Sequence, residues 1–350
     1  MSEYKVIPIL DAARMCGLPV LGDVNRAEVE THCPFCKDTK RRMSLNTAKN
    51  LFRCNRCKVS GNSVTLYAKL MKVDNRTAYN ALTRGKFTQE ATVARQEMTE
   101  KVEKDQPLQP LHKRHDVYFD LLNALTLSSR HTNNLLERGF DDDTIALHMY
   151  RTIPSWKVGG DIAERLAKEH DLRGVPGFYT SNGRWRMVCQ TGMFIPVCDK
   201  NGYIQGLQVR LDDTSDRKYR WFSSRYKENG ARAFPWVHVT GWQEGITTAA
   251  ITEGSLKGDV ASFLSNGCYV CLPGVNNISG LGQQLRNMGI TTVTESFDMD
   301  KYTNAYVADA LIALERELHR HGITMQRTRW DAEYKGIDDY LLAQCYPEAA

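Results

Sequence analysis

Four cysteines near the N-terminus restrict the fold of this chain more than any other feature of its sequence. The runs CPFC at 33–36 and CNRC at 54–57 form the pattern C-x2-C-x17-C-x2-C. When a hairpin brings two such pairs together, their four sulfurs can surround one Zn²⁺ ion at about 2.3 Å. The sequence therefore predicts a zinc ribbon with the ligands Cys33, Cys36, Cys54 and Cys57; four unconnected thiols are the alternative.

The composition places the chain among ordinary globular proteins, with 42% hydrophobic and 25% charged residues. At 350 residues it is long enough for two or three domains. No apolar stretch approaches the ~18 residues that span a bilayer, and the start MSEYKVIPIL lacks the basic-then-apolar order of a signal peptide. We therefore expect a cytoplasmic protein with reduced cysteines and no membrane partner.

Positive charge is concentrated around the cysteine pairs. Residues 31–58 contain eight Lys or Arg and one acid, whereas the whole chain has a net charge of only +5. This concentration predicts a polyanionic partner, with a solvated surface run as the alternative. Phe35 and Phe52 lie between the basic residues, a pattern that suits single-stranded nucleic acid, although we favour both rings as core residues beside the zinc. The candidate nucleic-acid contacts are Lys37, Lys40, Arg41, Arg42, Arg53 and Arg56.

Hydrophobic periodicity divides the chain into four pieces. Residues 1–86 contain the cysteines and short helices, and residues 87–116 are a polar run with the composition of a linker. Residues 117–244 begin with helices and continue with short strands, which predicts an α+β domain. In residues 245–350 strands alternate with helices, which predicts a parallel sheet covered on both faces. The fold class expected from these pieces is a multi-domain α/β protein.

Acidic residues follow three strands of the predicted parallel sheet. Ligands of open parallel sheets bind at the carboxyl ends of the strands, and carboxylate oxygens are the ligands that Mg²⁺ and Mn²⁺ prefer. Two acids separated by a single residue repel each other unless a cation lies between them. We therefore predict a divalent cation site, although an isolated D-x-D is usually a loop. The candidate residues are Glu253 after the first strand, Asp298 and Asp300 after the third, and Asp331, Asp338 and Asp339 after the last.

Several motifs resemble bacterial and phage DNA primases. CPFC followed by MSLNTAKNLFRCNRCKVSGN resembles their zinc-binding domain, with Cys36 where cellular enzymes usually have histidine. The motifs EGSLK at 253–257, DMDK at 298–301 and KGIDD at 335–339 resemble the toprim domain, most nearly in toprim-bearing primase-like proteins of plasmids and phages. The part before them resembles the α+β basic subdomain of primases. The resemblance covers residues 31–86 and about 117–343, and it implies a zinc ribbon, a basic subdomain and a toprim domain (245–350).

This resemblance implies a DNA-dependent RNA primase. Such an enzyme makes short RNA primers on single-stranded DNA from ribonucleoside triphosphates, here in the replication of a phage, plasmid or other mobile element. By resemblance Glu253 would act as general acid or base or would organise the metal, and Asp298 and Asp300 would hold Mg²⁺ or Mn²⁺ for two-metal nucleotidyl transfer. The residues expected to face nucleotide or template are Arg138, Arg210, Lys218 and Lys257.

One motif departs from the cellular pattern. Cellular primases have D-P-D in the last acidic motif, whereas this chain has Gly336-Ile337-Asp338-Asp339. The second metal would then be held by Asp338 together with Asp339 or Asp331. Two other functions stay open: a toprim nuclease that uses the same acids, and a non-catalytic single-stranded-DNA-binding module of replication or recombination. The sequence has no G-x-x-x-x-G-K-[ST] phosphate loop, so a separate replicative helicase is an expected partner.

Overall fold

The computed structural model describes residues 7–20, 26–36, 40–84, 106–213, 218–302 and 305–346, except the side chains of residues 84, 300, 305 and 306. The chain separates into two compact units, Met1–Lys104 and Asp105–Ala350, which are called the N-terminal unit and the C-terminal unit below. Within the described ranges, no helix combines the length and the apolar character that crossing a membrane requires.

The N-terminal unit is built on a small antiparallel sheet with the strand order β1-β2-β3-β4. Along the strands every second residue is buried, for example Met43 and Leu45 in β2 and Phe52 and Cys54 in β3. This alternation turns one face of the sheet toward a core that the helices cover. The elements are α1 (Ile9–Met15), β1 (Glu28–Thr31), β2 (Met43–Asn46), β3 (Leu51–Cys54), β4 (Ser60–Asn62), α2 (Ser63–Met71) and α3 (Asn75–Arg84).

The first half of the C-terminal unit combines helices with an antiparallel sheet of order β10-β9-β8-β5 and a separate β6–β7 hairpin. Its core contains the aromatic side chains of Tyr118, Phe178, Phe194 and Phe222. The elements are α4 (Leu111–Asn123), α5 (Ser129–Leu136), α6 (Asp142–Leu147), β5 (Arg151–Thr152), α7 (Trp156–Leu166), β6 (Phe178–Ser181), β7 (Arg184–Met187), β8 (Gly192–Cys198), β9 (Ile204–Leu211) and β10 (Tyr219–Trp221).

The predicted linker, residues 87–116, is only partly within the described residues. Positions 87–105 lie outside them, and α4 already begins at Leu111. Arg114 of this segment is buried, and its guanidinium donates to the carbonyl oxygens of Gln109 and Gln205. The C-terminal end of the predicted linker is therefore part of the folded C-terminal unit.

The second half of the C-terminal unit contains a five-stranded sheet with the order β11-β13-β12-β14-β15. Strands β12 to β15 are parallel, as predicted, and β11 adds an antiparallel edge that the sequence analysis did not anticipate. The elements are β11 (His238–Thr240), β12 (Thr248–Glu253), α8 (Ser255–Ser265), β13 (Tyr269–Leu272), α9 (Leu281–Asn287), β14 (Thr292–Glu295), a 3-10 turn (Met299–Tyr302), α10 (Ala305–Arg320), β15 (Thr324–Arg327) and α11 (Ile337–Cys345).

Helices cover both faces of this sheet. In β13, Val270 and Leu272 belong to a core shared with α9 and α10, whereas Tyr269 and Cys271 belong to a second core shared with α8 and α11. Because successive side chains of a strand point to opposite faces, the two cores lie on opposite sides of the sheet. The predicted doubly covered α/β architecture is confirmed.

A buried polar cluster joins the two halves of the C-terminal unit. Asp259 of α8 accepts hydrogen bonds from the Tyr150 hydroxyl at 2.7 Å and from His238 Nε2 at 2.8 Å. His238 Nδ1 in turn accepts from the backbone N–H of Cys198 at 2.9 Å, which fixes the proton on Nε2. Burial alone would raise the pKa of Asp259, but His238, His148 and the two hydrogen bonds lower it to about 2. The ionised carboxylate thus fixes α8, the helix that also carries Lys257.

Candidate functional site

The four predicted zinc ligands come together in the N-terminal unit. Their sulfur atoms all lie within 4.8 Å of one another. Cys33 Sγ is 3.7 Å from Cys57 Sγ, and Cys36 Sγ is 3.8 Å from Cys54 Sγ. A tetrahedral zinc ion with Zn–S bonds of about 2.3 Å requires sulfur–sulfur distances of about 3.8 Å. The cluster therefore fits a structural Zn²⁺ ion.

The second knuckle is shaped by the backbone that follows β3. The N–H groups of Arg56 and Cys57 point at Cys54 Sγ, at 3.4 and 3.5 Å, and suit a negatively charged sulfur. Lys58 adopts a left-handed conformation, with φ of 61°, and its N–H donates to the Cys54 carbonyl oxygen at 3.0 Å. This tight turn brings Cys57 back beside Cys54.

The basic side chains of the ribbon lie on its surface. Lys40, Arg41, Arg42, Arg53 and Arg56 are all exposed, and Lys37 lies outside the described residues. Phe52 is only 1% exposed, and Phe35 packs on it with ring centroids 6.2 Å apart. The interpretation as a core residue is confirmed for Phe52, which offers no surface on which a base could stack, whereas Phe35 is half-buried against that core. Contact of the basic side chains with nucleic acid stays a prediction.

Lys257 and three acids meet at the carboxyl ends of β12 and β14. Lys257 lies in the first turn of α8, and its Nζ contacts Asp298 Oδ1 directly. Burial lowers the pKa of Lys257, but the carboxylates of Asp298, Asp338 and Glu253 outweigh that effect and raise it. We call Glu253, Lys257, Asp298 and Asp338 the acidic site. Sequence analysis predicted the three acids for this edge of the sheet, whereas Lys257 was expected, by the resemblance to primases, to face nucleotide or template.

Asp338 is the most buried acid of this site, with 6% exposure. Arg138 Nη1 donates to its Oδ2 at 3.3 Å, whereas Oδ1 is buried and has no hydrogen-bond partner within the described residues. Burial raises the pKa of Asp338, and Lys257 and Arg138 partly oppose this effect. An unpaired buried carboxylate oxygen is costly, and a cation at that position would remove the cost.

The predicted nucleotide-binding residues converge beside Asp338. The pKa of Lys218 is lowered by burial and by the positive charges of Arg210 and Arg138. Arg210 Nη1 donates to Asn134 Oδ1 at 2.7 Å, which orients the guanidinium. Sequence reasoning missed Asn134, because an asparagine within a short helix carries no signal by itself. Three cations that repel one another form a ready binding surface for a polyphosphate.

The other predicted acids are Asp331 and Asp339, which make local hydrogen bonds to the backbone, and Asp300, whose side chain is outside the described part of the chain. Asp331 is exposed and its Oδ1 accepts from the N–H of Glu333 at 3.0 Å, so it caps a turn. Asp339 is also exposed, and its Oδ2 accepts from the N–H of Gly336 at 3.2 Å at the start of α11. The side chain of Asp300 is outside the described part of the chain. Within that part, the carboxylates do not form a preassembled cluster of three.

A buried ion pair supports the loop that carries Asp298. Lys301 Nζ donates to both carboxylate oxygens of Glu295 at 3.0 Å and to the Thr328 carbonyl oxygen at 2.8 Å. Glu295 Oε1 also accepts from the N–H of Phe297 at 2.7 Å. Both side chains of the pair are at most 2% exposed. Sequence analysis missed this pair, although a glutamate at the end of an apolar strand is a signal that a partner is needed.

The donors of the acidic site fit a divalent cation. Its oxygens come from carboxylates, which Mg²⁺ and Mn²⁺ prefer, and the buried Asp338 Oδ1 is available as a ligand atom. The residues that would hold the cation are Asp298, Asp338 and Asp300, which follows Asp298 by two positions in the sequence.

Gly336 leaves room for two residues of the acidic site. A Cβ at this position would overlap Asp338 Oδ1 and lie 3.2 Å from Lys257 Nζ. The Gly336→Ala substitution is therefore expected to displace Asp338 and to weaken Mn²⁺ binding by about tenfold or more. An equilibrium titration with Mn²⁺ would measure the change in affinity. Gly267→Ala is the control variant, because a Cβ at this position would meet only side-chain atoms. Gly183→Ala is less suitable, because Gly183 has a positive φ that alanine disfavours. Unchanged affinity in Gly336→Ala would contradict the expectation.

Two family descriptions match parts of the chain. Residues 24–99 match the CHC2 zinc finger family. Residues 241–347, which contain the acidic site, match a domain of unknown function (DUF3854). The DNA primase of Mycoplasma pneumoniae is 23% identical over 344 residues, covering 89% of this chain and 52% of the relative. The chain therefore spans about half the length of the curated relative it matches.

Solved primase structures share the fold. The zinc-binding and RNA polymerase domains of Aquifex aeolicus primase match with a TM-score of 0.52 and 15% identity, over 97% of this chain and 81% of that chain. A DnaG primase catalytic domain bound to single-stranded DNA matches with a TM-score of 0.52 and 15% identity, over 68% of this chain and 76% of that chain. The chain thus carries a CHC2 zinc finger, is homologous to a DNA primase, and has the fold of primase zinc-binding and catalytic domains.

Proposed function

We propose that this chain is a DNA-dependent RNA primase, which synthesises short RNA primers on single-stranded DNA. One observation carries the proposal. At the carboxyl end of a parallel sheet, Lys257 contacts Asp298, Arg138 donates to Asp338, and Lys257 and Asp338 both lie against Gly336. Such a site combines ligands for divalent cations with a surface for a triphosphate, which is what nucleotidyl transfer requires.

Each residue of the site has a role in this reaction. When bound, two Mg²⁺ or Mn²⁺ ions lower the pKa of the attacking 3′-hydroxyl and neutralise the leaving pyrophosphate. Asp298, Asp300 and Asp338 would hold them; Asp339 caps α11 and is the weaker candidate. Glu253, exposed at the end of β12, is placed to act as general acid or base or to organise the metals. The three cations Arg138, Arg210 and Lys218 would hold the triphosphate of the incoming ribonucleotide.

The zinc ribbon would bind the single-stranded DNA template. A primase joins two nucleotides without a primer, so contacts to the template must replace the stacking that a duplex would give. The exposed Lys40, Arg41, Arg42, Arg53 and Arg56 provide positive charge for this role. We further propose action in the cytoplasm with a separate replicative helicase, in the replication of a phage, plasmid or other mobile element.

A binding module is the second candidate. Asp298 contacts Lys257, and Asp338 contacts Arg138, so both acids already have cationic partners within the chain. A site neutralised in this way could bind single-stranded DNA without catalysis. The nuclease alternative would use the same acids for hydrolysis, and among the residues that the structure describes no contact favours it over the primase.

The first experiment is a gel assay for primer synthesis. The protein is mixed with mixed-sequence single-stranded DNA, Mg²⁺ or Mn²⁺, and four ribonucleoside triphosphates, one of them labelled at the α-phosphate. Asp300→Ala and Asp161→Ala run in parallel, because Asp161 is an exposed acid of α7 with no proposed role in the site. End-labelled DNA in further lanes reports cleavage.

We expect short labelled RNA from the wild type and from Asp161→Ala, and at least about 10³-fold less from Asp300→Ala, because the metal ligand is lost. Cleaved DNA without RNA would replace the primase by the nuclease. DNA binding with neither product, also after addition of a replicative helicase, would leave the binding module.

A further inference from the structure

Lys257 occupies the centre of the acidic site. Its Nζ contacts Asp298 Oδ1, and its side chain is 18% exposed. The other carboxylates that act on it belong to Asp338, at the start of α11, and Glu253, at the end of β12. One lysine thus contacts or faces acids from three separate elements of the fold.

The backbone is shaped to admit this lysine. Gly336 lies against the end of the side chain, with Lys257 Cε and Nζ each 3.2 Å from the position of a Cβ on this residue. The φ of Gly336 is −107°, which any residue adopts, so conformation alone does not call for glycine here. The missing side chain at Gly336 instead provides space for Lys257 beside Asp338.

A lysine ammonium and a divalent cation cannot share these acids. Both need the Asp298 carboxylate, and a single and a double positive charge about 4 Å apart repel each other by several kcal/mol at a partly exposed site. Asp338 offers the cation only its Oδ1, because its Oδ2 already accepts from Arg138. A cation that enters between Asp298 and Asp338 therefore requires Lys257 to move away.

We propose that Lys257 is the counter-ion that competes with the divalent metal for Asp298, and that metal binding releases its ammonium toward the phosphates of the nucleotide. The inference rests on the proposed function, because it takes the acids to be metal ligands. It adds that metal binding and the position of Lys257 are coupled. The lysine keeps the acids neutralised until the metal replaces it.

Equilibrium Mn²⁺ binding to the full-length, zinc-loaded protein tests this coupling. Free Mn²⁺ is measured by electron paramagnetic resonance, and binding that disappears in Asp298→Asn is assigned to the acidic site. Lys257→Met removes the charge but keeps the length of the side chain, and Lys257→Arg keeps the charge. Lys157→Met is the matched control, because Lys157 is an exposed lysine of α7.

We expect Lys257→Met to bind Mn²⁺ about tenfold or more tightly than the wild type, because the competing charge is gone. Lys257→Arg and Lys157→Met should stay within about twofold of the wild type, which corresponds to less than ~0.5 kcal/mol. Lys257→Gln is a second neutral variant if Lys257→Met unfolds, as tryptophan fluorescence would show.

Unchanged or weaker binding in the neutral variants, with wild-type binding intact, would overturn the role of Lys257 and leave the primase proposal standing. Absence of any Mn²⁺ binding that depends on Asp298, in the wild type and in the neutral variants, would overturn the metal assignment and this inference together.

Discussion

Replacing Lys301 by methionine is expected to lower the free energy of unfolding of the C-terminal unit by about 3–5 kcal/mol, because it leaves Glu295 as a buried, unpaired acid. Lys301 donates to both oxygens of Glu295 and is 2% exposed. The loss should also displace the loop that carries Asp298. Urea unfolding followed by tryptophan fluorescence measures the effect, because all six tryptophans lie between positions 156 and 330, in the C-terminal unit.

Two further variants show whether the unpaired charge is the cause. The double variant Glu295→Gln/Lys301→Met removes both charges, so it should be more stable than Lys301→Met alone. Lys157→Met, an exposed lysine, should change the free energy of unfolding by less than about 0.5 kcal/mol. A double variant as unstable as the single one would attribute the loss to the contact of the Lys301 ammonium with the Trp330 ring instead, whose centroid lies 5.0 Å from Nζ.

Removal of zinc is expected to unfold the N-terminal unit while the C-terminal unit stays folded. Cys33 and Cys54 are themselves members of the small core that contains Met43, Leu45 and Phe52. A core of this size depends on its metal, and zinc binding contributes about 10–16 kcal/mol in comparable small domains. Chelation should therefore abolish the circular dichroism contribution of residues 26–84 and leave the tryptophan fluorescence unchanged.

Cysteine variants separate the metal from a general effect of thiol loss. Cys54→Ser should lose the one zinc ion per chain, measured with a metallochromic dye. Cys345→Ser should keep it, because Cys345 is an exposed thiol of α11. Full zinc content in Cys54→Ser would refute the assignment of Cys54 as a ligand.

The features that sequence analysis predicted are those that local patterns determine. The cysteine spacing predicts a metal cluster because two residues between ligands fit one tight turn. The alternation of apolar strands and helices after residue 245 predicts the parallel strands β12 to β15, and acids at their ends fall at one edge by topology. Glu253 and Asp298 were therefore assigned to the same edge of the sheet without a structure.

Features that depend on contacts distant in sequence could not be predicted in this way. Strand β11 has three residues and becomes a strand only because β13 offers it an edge. Asp338 and Asp339 are adjacent acids that the sequence does not distinguish. At the start of α11, however, Asp338 lies in the acidic site beside Arg138, whereas Asp339 accepts from the backbone N–H of Gly336. The hydrogen-bond partners of Arg138 and Arg210 could not be predicted either, because Asp338 and Asn134 lie 200 and 76 positions away from them in the sequence.

The ion pair between Arg138 and Asp338 joins residues 200 positions apart. During synthesis on the ribosome, Arg138, Arg210 and Lys218 are therefore made before the acid that lies beside them. Mutual repulsion of these cations then disfavours the closed arrangement of the site. Asp338 can balance these charges only after α11 has been made.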